Sequence, residues 1–181
     1  MTGVQTCALP IFSVPGTTNT DPLPASAFTV LETGRRRPAK VVGLPDDPLQ
    51  LVLVIDTSGS MAGTPLAGAK AAAASLLDQL PAAASVAVLG FGDRPYLASV
   101  FTTDRGLTRL AITSLRASGE TALNDAVVQA ARSFTQNRRT MVVLTDGRDT
   151  VSGATTAQAA KAATDANASV YGVELATARS E

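Results

Sequence analysis

Three side chains with oxygen donors follow one apolar segment of the chain. Asp56, Ser58 and Ser60 come directly after residues 51–55, whose sequence is Leu-Val-Leu-Val-Ile. One carboxylate and two hydroxyls at this spacing suit a hard divalent cation such as Mg²⁺, which prefers oxygen ligands. The spacing therefore indicates a metal site at the point where a buried strand is predicted to end.

Two further segments carry oxygen donors of the same kind. Thr121 precedes a predicted helix, and Asp146 ends a second apolar run at 141–145. Ligands of open α/β sheets bind where the carboxyl ends of the strands meet, so we expect all five side chains to converge there. The set has no nitrogen or sulfur donor, which favours Mg²⁺ or Mn²⁺ over zinc or copper. A carboxylate from a partner protein can complete such a coordination shell.

Each of these residues also has a simpler structural explanation. An aspartate can bond to backbone groups in a turn, a serine can satisfy neighbouring amides, and a threonine can cap a helix. These roles do not exclude metal binding. The joint placement of five oxygen donors at one edge of a sheet favours the metal site.

The composition argues against several other functions. The chain has 181 residues, no histidine, a single cysteine and a net charge of zero. Without histidine, no Ser–His or Cys–His nucleophile pair can form within the chain, and no basic excess indicates a nucleic-acid partner. No apolar stretch approaches the roughly 18 residues that span a membrane. We therefore expect a protein that is not an enzyme, binds no nucleic acid and makes no membrane contact of its own.

Strands and helices are predicted to alternate from residue 49 onward. The strands are predicted at 51–55, 85–91, 96–101, 141–145 and 169–175, and the helices at 65–80, 107–115, 122–136 and 155–167. The connection at 92–95 is too short to cross over a sheet, so the strands that it joins must pair antiparallel. The pattern predicts a Rossmann-like, doubly wound α/β fold with a mostly parallel sheet, one antiparallel edge strand and helices on both faces. No helix follows the last strand, so we expect the domain to be truncated at its C-terminus.

The first 48 residues are predicted to lie outside this domain, which spans residues 49–181. Residues 1–12 are interpreted as an artefact, because residues 1–11 resemble a peptide translated from sequencing-adaptor DNA. A signal-peptide remnant is the alternative, but no basic segment precedes the apolar residues and Pro10 interrupts them. Residues 13–48 are predicted to form a linker and a short β-hairpin of strands 27–34 and 38–44, with the arginines at 35–37 near its turn.

Three motifs in combination resemble the von Willebrand factor A domain of bacterial proteins. They are Asp-Thr-Ser-Gly-Ser-Met at 56–61, Gly-Glu-Thr-Ala-Leu at 119–123 and Leu-Thr-Asp-Gly at 144–147. The resemblance covers about residues 49–175. It implies that the family's metal-ion-dependent adhesion site is formed by Asp56, Ser58, Ser60, Thr121 and Asp146. The family commonly has glycine directly before the metal-site threonine, whereas Glu120 stands there in this chain, either adding negative charge near the ion or pointing to solvent.

The resemblance implies a binding module that joins an acidic group of a protein partner through a bound Mg²⁺ or Mn²⁺. The alternative is a substrate-recruiting or regulatory subunit that works beside an ATPase or a metal-inserting enzyme. A hydrolase using metal-bound water is disfavoured, because no histidine or clear base accompanies the donors. Residues 28–34 resemble a strand pair upstream of some bacterial A domains in secreted or membrane-anchored proteins, which favours an extracellular location. The sequence does not fix the oligomeric state.

Overall fold

The computed structural model describes residues 29–37 and 48–175. The chain divides into two compact units, Met1–Gly43 and Leu44–Glu181. The interpretations of residues 1–28, including the adaptor-derived peptide, fall outside the described residues. So does the second predicted hairpin strand at 38–44.

The first unit contains a short antiparallel hairpin. Strand β1 (Val30–Glu32) pairs with β2 (Arg35–Arg37). The turn consists of Thr33 and Gly34, with φ values of 51° and 76°. Glycine adopts positive φ without steric strain, which is why the chain reverses here. The arginines were predicted to lie near the turn between strands 27–34 and 38–44; instead they form the second strand, because Gly34 sets an earlier turn.

The second unit is a layered α/β structure in which strands and helices alternate. Its elements are β3 (Gln50–Asp56), α1 (Thr64–Gln79), β4 (Ser85–Phe91), β5 (Pro95–Thr102), α2 (Arg105–Ser114), α3 (Leu123–Ser133), β6 (Arg139–Thr145), α4 (Thr156–Asp165) and β7 (Ser169–Glu174). A single 3₁₀ turn, Gly59–Met61, lies between β3 and α1. The predicted strands and helices are all present, and their boundaries shift by only a few residues.

The sheet has the strand order β5-β4-β3-β6-β7. Strand β3 runs parallel to both β4 and β6, and β7 runs parallel to β6. Only β5 is antiparallel, and it forms an edge of the sheet next to β4. The predicted mostly parallel sheet with one antiparallel edge strand is confirmed. Because β3 is the central strand, its last residue, Asp56, lies in the middle of the carboxyl edge.

Helices cover both faces of the sheet, as predicted. Strand β3 is buried along its whole length, which explains its continuous run of apolar, largely β-branched residues. Leu51, Leu53 and Ile55 pack in one core with α1 and α2. Val52 and Val54 pack in the other core with α3, which α4 also contacts. The central strand is thereby held rigidly from both sides, and so is the position at which it ends.

Candidate metal centre

The carboxylate of Asp56 is completely buried at the end of β3. Its Oδ1 accepts a hydrogen bond from the backbone N–H of Ser58 at 2.8 Å. Its Oδ2 accepts one from the Oγ1 hydroxyl of Thr145 at 2.5 Å, and Thr145 is the last residue of the neighbouring strand β6. Two donors from different elements therefore fix the orientation of this carboxylate.

No ion pair within the described residues neutralises Asp56. The ion pairs of the α/β unit that join two described residues link Arg109 to Asp78 and Lys161 to Asp165, both on the surface. Burying an unpaired charge costs several kcal/mol, and each carboxylate oxygen retains a lone pair beyond its one hydrogen bond. A cation bound beside Asp56 would remove that cost.

A chain of hydrogen bonds extends from this position to the surface. The Oγ atoms of Ser58 and Ser60 lie 3.1 Å apart, and the Oγ of Ser60 donates to Oδ1 of Asp146 at 3.0 Å. Ser58 is buried, Asp146 is half-buried and Ser60 is exposed. Because the backbone of Ser58 also bonds to Asp56, four of the five predicted ligands belong to one connected group that opens to solvent.

Thr121 lies in the loop that packs against this group. Its side chain is buried. Its backbone makes two hydrogen bonds to Thr150: the Thr121 N–H donates to Thr150 Oγ1 at 3.0 Å, and the Thr121 carbonyl accepts from Thr150 N at 2.9 Å. Two residues earlier, the carbonyl of Gly119 accepts from Gly59 N at 2.8 Å. In the described part of the chain, no hydrogen bond joins the Thr121 hydroxyl to the other four side chains. The structure thus places its loop at the site without a direct bond.

The α2–α3 loop, residues 115–122, is fastened to the end of the sheet by backbone hydrogen bonds. Ser118 N donates to Thr57 O at 2.7 Å, and Ala122 N donates to Gly92 O at 2.8 Å. Gly119 has a φ of 81°, and a Cβ there would lie 2.7 Å from the Asp93 carboxylate. Only glycine permits this close approach, so the backbone of the loop is held against the turn after β4.

Glu120 turns its carboxylate toward the β6–α4 loop. Its side chain is exposed, and Oε2 accepts from the hydroxyl of Thr150 at 3.4 Å. Its backbone N–H donates to Oδ1 of Asp93 at 2.7 Å. The sequence left two orientations open, toward the ion or toward solvent. The structure shows the Glu120 carboxylate exposed to solvent and hydrogen-bonded to Thr150.

Sequence patterns did not identify Thr145, Asp93 or Thr150 as supports of the site. Thr145 directly precedes Asp146, and its position at the end of an apolar run was visible in the sequence. Its hydrogen bond to Asp56, however, joins residues 89 positions apart and depends on the pairing of β3 with β6. Strand order would have been needed to find it.

The donor set fits a hard divalent cation. Two carboxylates and three hydroxyls supply oxygen alone, as Mg²⁺ prefers. Zinc sites in proteins are usually built with histidine or cysteine ligands, and the set of Asp56, Ser58, Ser60, Thr121 and Asp146 contains neither. The residues that would hold the ion are Asp56, Ser58, Ser60, Thr121 and Asp146.

Comparison with known proteins identifies the family. The family model of the von Willebrand factor type A domain matches residues 51–148. The chain belongs to this family. The matched A-domain segment begins within β3 and ends just after Asp146, so it contains all five predicted metal ligands.

Two curated relatives share part of this A domain. An uncharacterized protein of Synechocystis sp. is 34% identical over 108 residues, covering 56% of this chain and 26% of the relative. A UPF0353 protein of Mycolicibacterium paratuberculosis is 30% identical over 115 residues, covering 61% of this chain and 34% of the relative. The matched region therefore spans about a quarter to a third of the length of these relatives.

Solved structures of bacterial proteins include similar folds. The conserved hypothetical protein BatB from Bacteroides thetaiotaomicron superimposes with a TM-score of 0.62 at 25% identity, over 70% of this chain and 66% of that one. A von Willebrand factor type A structure from Catenulispora acidiphila has the same TM-score at 27% identity, over 70% of this chain and 33% of that one. These similarities support the α/β fold described above. In the described part of this chain, every helix is too short or too polar to cross a membrane.

Proposed function

We propose that this A domain is a metal-dependent protein-binding module. Asp56, Ser58, Ser60, Thr121 and Asp146 would hold Mg²⁺ or Mn²⁺, and a carboxylate of a partner protein would complete the coordination shell. The observation that carries the proposal is the hydrogen-bonded group of Asp56, Ser58, Ser60 and Asp146, which leads from a buried, unpaired carboxylate to the surface. Membership of the A-domain family supports it.

The differences in burial suggest a division of roles among the ligands. Asp56 is fixed by Ser58 N and by Thr145, so it can provide a preoriented carboxylate ligand in the interior. Ser60 and Asp146 lie where solvent, and hence a partner, can reach. Bound Mg²⁺ would supply an electrophilic centre for the partner's carboxylate. Neither the side chains of this domain nor the partner's carboxylate alone would fill the coordination shell of the ion. Partner binding would therefore require the cation.

Metal binding is the first test. Calorimetry with Mg²⁺, and electron paramagnetic resonance with Mn²⁺, should detect one site per chain. Asp146→Asn keeps the size of the side chain but removes a charge at the accessible end, so affinity should fall at least about tenfold. The matched control is Asp165→Asn, because Asp165 is an exposed aspartate on α4 that pairs with Lys161. Wild-type protein that binds neither cation would refute the proposal.

Binding of a carboxylate is the second test. The probes are two short glycine peptides with capped ends, one with a central glutamate and the other with a central glutamine. Nuclear magnetic resonance titration of the full chain in Mg²⁺ should show binding of the glutamate peptide alone, and EDTA should abolish it. Equal binding in Mg²⁺ and in EDTA would contradict a metal-bridged contact.

We further propose that this protein acts outside the cell, as secreted or membrane-anchored A-domain proteins do. The support is the resemblance of residues 28–34 to a strand pair upstream of such domains. An antibody raised against residues 49–175 tests it. Protease added to intact cells should digest the protein, and protection until the cells are lysed would place it inside.

A further inference from the structure

A polar cleft adjoins the predicted metal site. It has a volume of about 390 Å³ and lies between Thr57 in the loop after β3, the turn after β4, and the end of α2 with the α2–α3 loop. Its lining includes two guanidinium groups and several hydroxyls, from Thr57, Arg94, Tyr96, Ser114, Arg116 and Ser118. Thr57 stands between two predicted metal ligands, Asp56 and Ser58, so the cleft and the metal site share one loop.

The arginines of this cleft have unused hydrogen-bonding capacity. Within the described residues, the Arg94 side chain makes no hydrogen bond or ion pair, and it is exposed. Arg116 uses Nη1 to bond the carbonyls of Thr113, Ser114 and Leu115 at the end of α2. Its other guanidinium nitrogens have no partner in the same part of the chain. Both cations are therefore free to bind an anion from outside.

The acidic residue of the cleft is already engaged. Asp93 accepts the backbone N–H of Glu120 and packs against Gly119, so its carboxylate already has a partner within the chain. Lys70 adds a further cation close by, since its Nζ donates to the carbonyls of Thr113 at 3.0 Å and Leu115 at 2.7 Å. Burial and, second, the charge of Arg116 lower the pKa of Lys70. The charges around the cleft are thus mainly positive.

We propose that this cleft binds a second carboxylate of the same partner segment whose first carboxylate reaches the metal. The inference rests on the proposed function, and it adds the class of partner: a peptide segment with two nearby acidic side chains. Arg94 and Arg116 pair with the second carboxylate, and the hydroxyl of Ser118 is available as a donor, whereas the Ser114 hydroxyl already donates to the carbonyl of Ala111 at 2.7 Å. The Tyr96 hydroxyl donates to Thr57 Oγ1 at 3.5 Å, so the cleft is bonded to the loop that carries Asp56 and Ser58.

The test compares two peptides on the full chain in Mg²⁺. One glycine peptide carries a single glutamate, and the other carries two glutamates separated by one glycine. The two-glutamate peptide should bind about fivefold more tightly, the gain expected of one charge-assisted contact near the surface. Arg94→Gln should remove that gain and leave the affinity of the one-glutamate peptide unchanged. Arg132→Gln is the control, because Arg132 is an exposed arginine on α3 outside this cleft.

The outcomes separate the cleft from the metal site. If both peptides bind wild-type protein equally well, the cleft proposal is overturned while metal-dependent binding stands. If the one-glutamate peptide does not bind in Mg²⁺ but the two-glutamate peptide shifts the amide resonances of Arg94 and Ser118 equally in Mg²⁺ and in EDTA, the metal bridge fails and the cleft is supported. If inorganic phosphate shifts these resonances and the two-glutamate peptide does not, the cleft takes phosphate and the carboxylate assignment is wrong.

Discussion

At the scale of single residues, Thr145 has a larger role than its place in the sequence suggests. Its hydroxyl donates to Asp56 Oδ2, and the same oxygen accepts from Gly147 N at 3.2 Å. The bond from Gly147 N orients the Thr145 hydroxyl, and the bond from that hydroxyl orients the Asp56 carboxylate. Thr145 would therefore orient a metal ligand without touching the metal, as residues around metal sites commonly do.

Thr145→Val should weaken Mg²⁺ binding about tenfold, because valine keeps the shape and loses the hydroxyl that orients Asp56. Thr145→Ser should bind nearly as tightly as the wild type, since it restores the donor. Calorimetric titration of both variants makes the comparison. A valine variant with wild-type affinity would show that Asp56 needs no such orientation.

Gly119→Ala should lower the free energy of unfolding by about 1–2 kcal/mol, because it forces an L-residue into the left-handed region. Its Cβ would also approach the Asp93 carboxylate to 2.7 Å. Urea denaturation measures the change. Gly68→Ala, at an exposed helical position with open space around it, should instead add up to about 1 kcal/mol. Equal effects of both substitutions would argue against the tight loop.

At the scale of elements, the start of α4 is held by a reciprocal pair of hydrogen bonds. Thr155 Oγ1 accepts from Gln158 N at 3.2 Å, while Gln158 Oε1 accepts from Thr155 N at 2.8 Å. This capping box satisfies two backbone donors that a helix otherwise leaves unpaired. It fixes the point at which the β6–α4 loop, which follows Asp146, joins the helix.

Thr155→Ala should lower the free energy of unfolding by about 1 kcal/mol, the usual loss on removing an N-cap hydroxyl. Thr156→Ala, one residue further on at the first helical position, is the control and should change stability by a few tenths of a kcal/mol. Thermal unfolding followed by circular dichroism compares them. Equal losses in the two variants would contradict the cap.

The order of the elements could be predicted from the sequence because each gives a strong local signal. Buried strands such as β3 show continuous β-branched runs, and the short turn after β4 leaves only an antiparallel connection. The candidate ligands were predicted from oxygen-bearing residues that follow two strands or precede a helix, and from the resemblance to the A-domain family. The early turn at Gly34 was missed, and so was the hydrogen bond from Thr145 to Asp56. The turn depends on the backbone angles of two residues, and the hydrogen bond depends on the pairing of β3 with β6. Neither produces a periodic pattern in the sequence.

At the scale of the whole molecule, both edge strands of the sheet expose apolar side chains, and those of β7 adjoin a core. Val170, Tyr171 and Val173 of β7 are 46%, 55% and 40% exposed. On the neighbouring strand β6, Val142 lies opposite Tyr171 and Leu144 lies opposite Val173. Val142 and Leu144 pack in the core on the side of α1 and α2. Exposed apolar groups that adjoin a core form a surface to which hydrophobic molecules bind.

An environment-sensitive dye such as anilinonaphthalene sulfonate should therefore fluoresce with the native chain. The double variant Tyr171→Thr/Val173→Thr should reduce the signal, because threonine keeps strand propensity and adds a hydroxyl. Leu107→Thr is the control, as an exposed leucine on the distant helix α2. If the dye does not fluoresce with the native chain, the β7 edge does not form an apolar surface that binds it.

The candidate site is assembled from segments that are far apart in the chain, and the bond from Thr145 to Asp56 alone spans 89 positions. In the unfolded polypeptide these groups are scattered, so a cation that needs all of them can be captured only after the sheet has formed. By mass action, a cation at about a hundred times its dissociation constant would then stabilise the native state by about 2.7 kcal/mol. Supply of the ion would govern how long the chain survives proteolysis, and chelation would shorten its lifetime even when no partner is present.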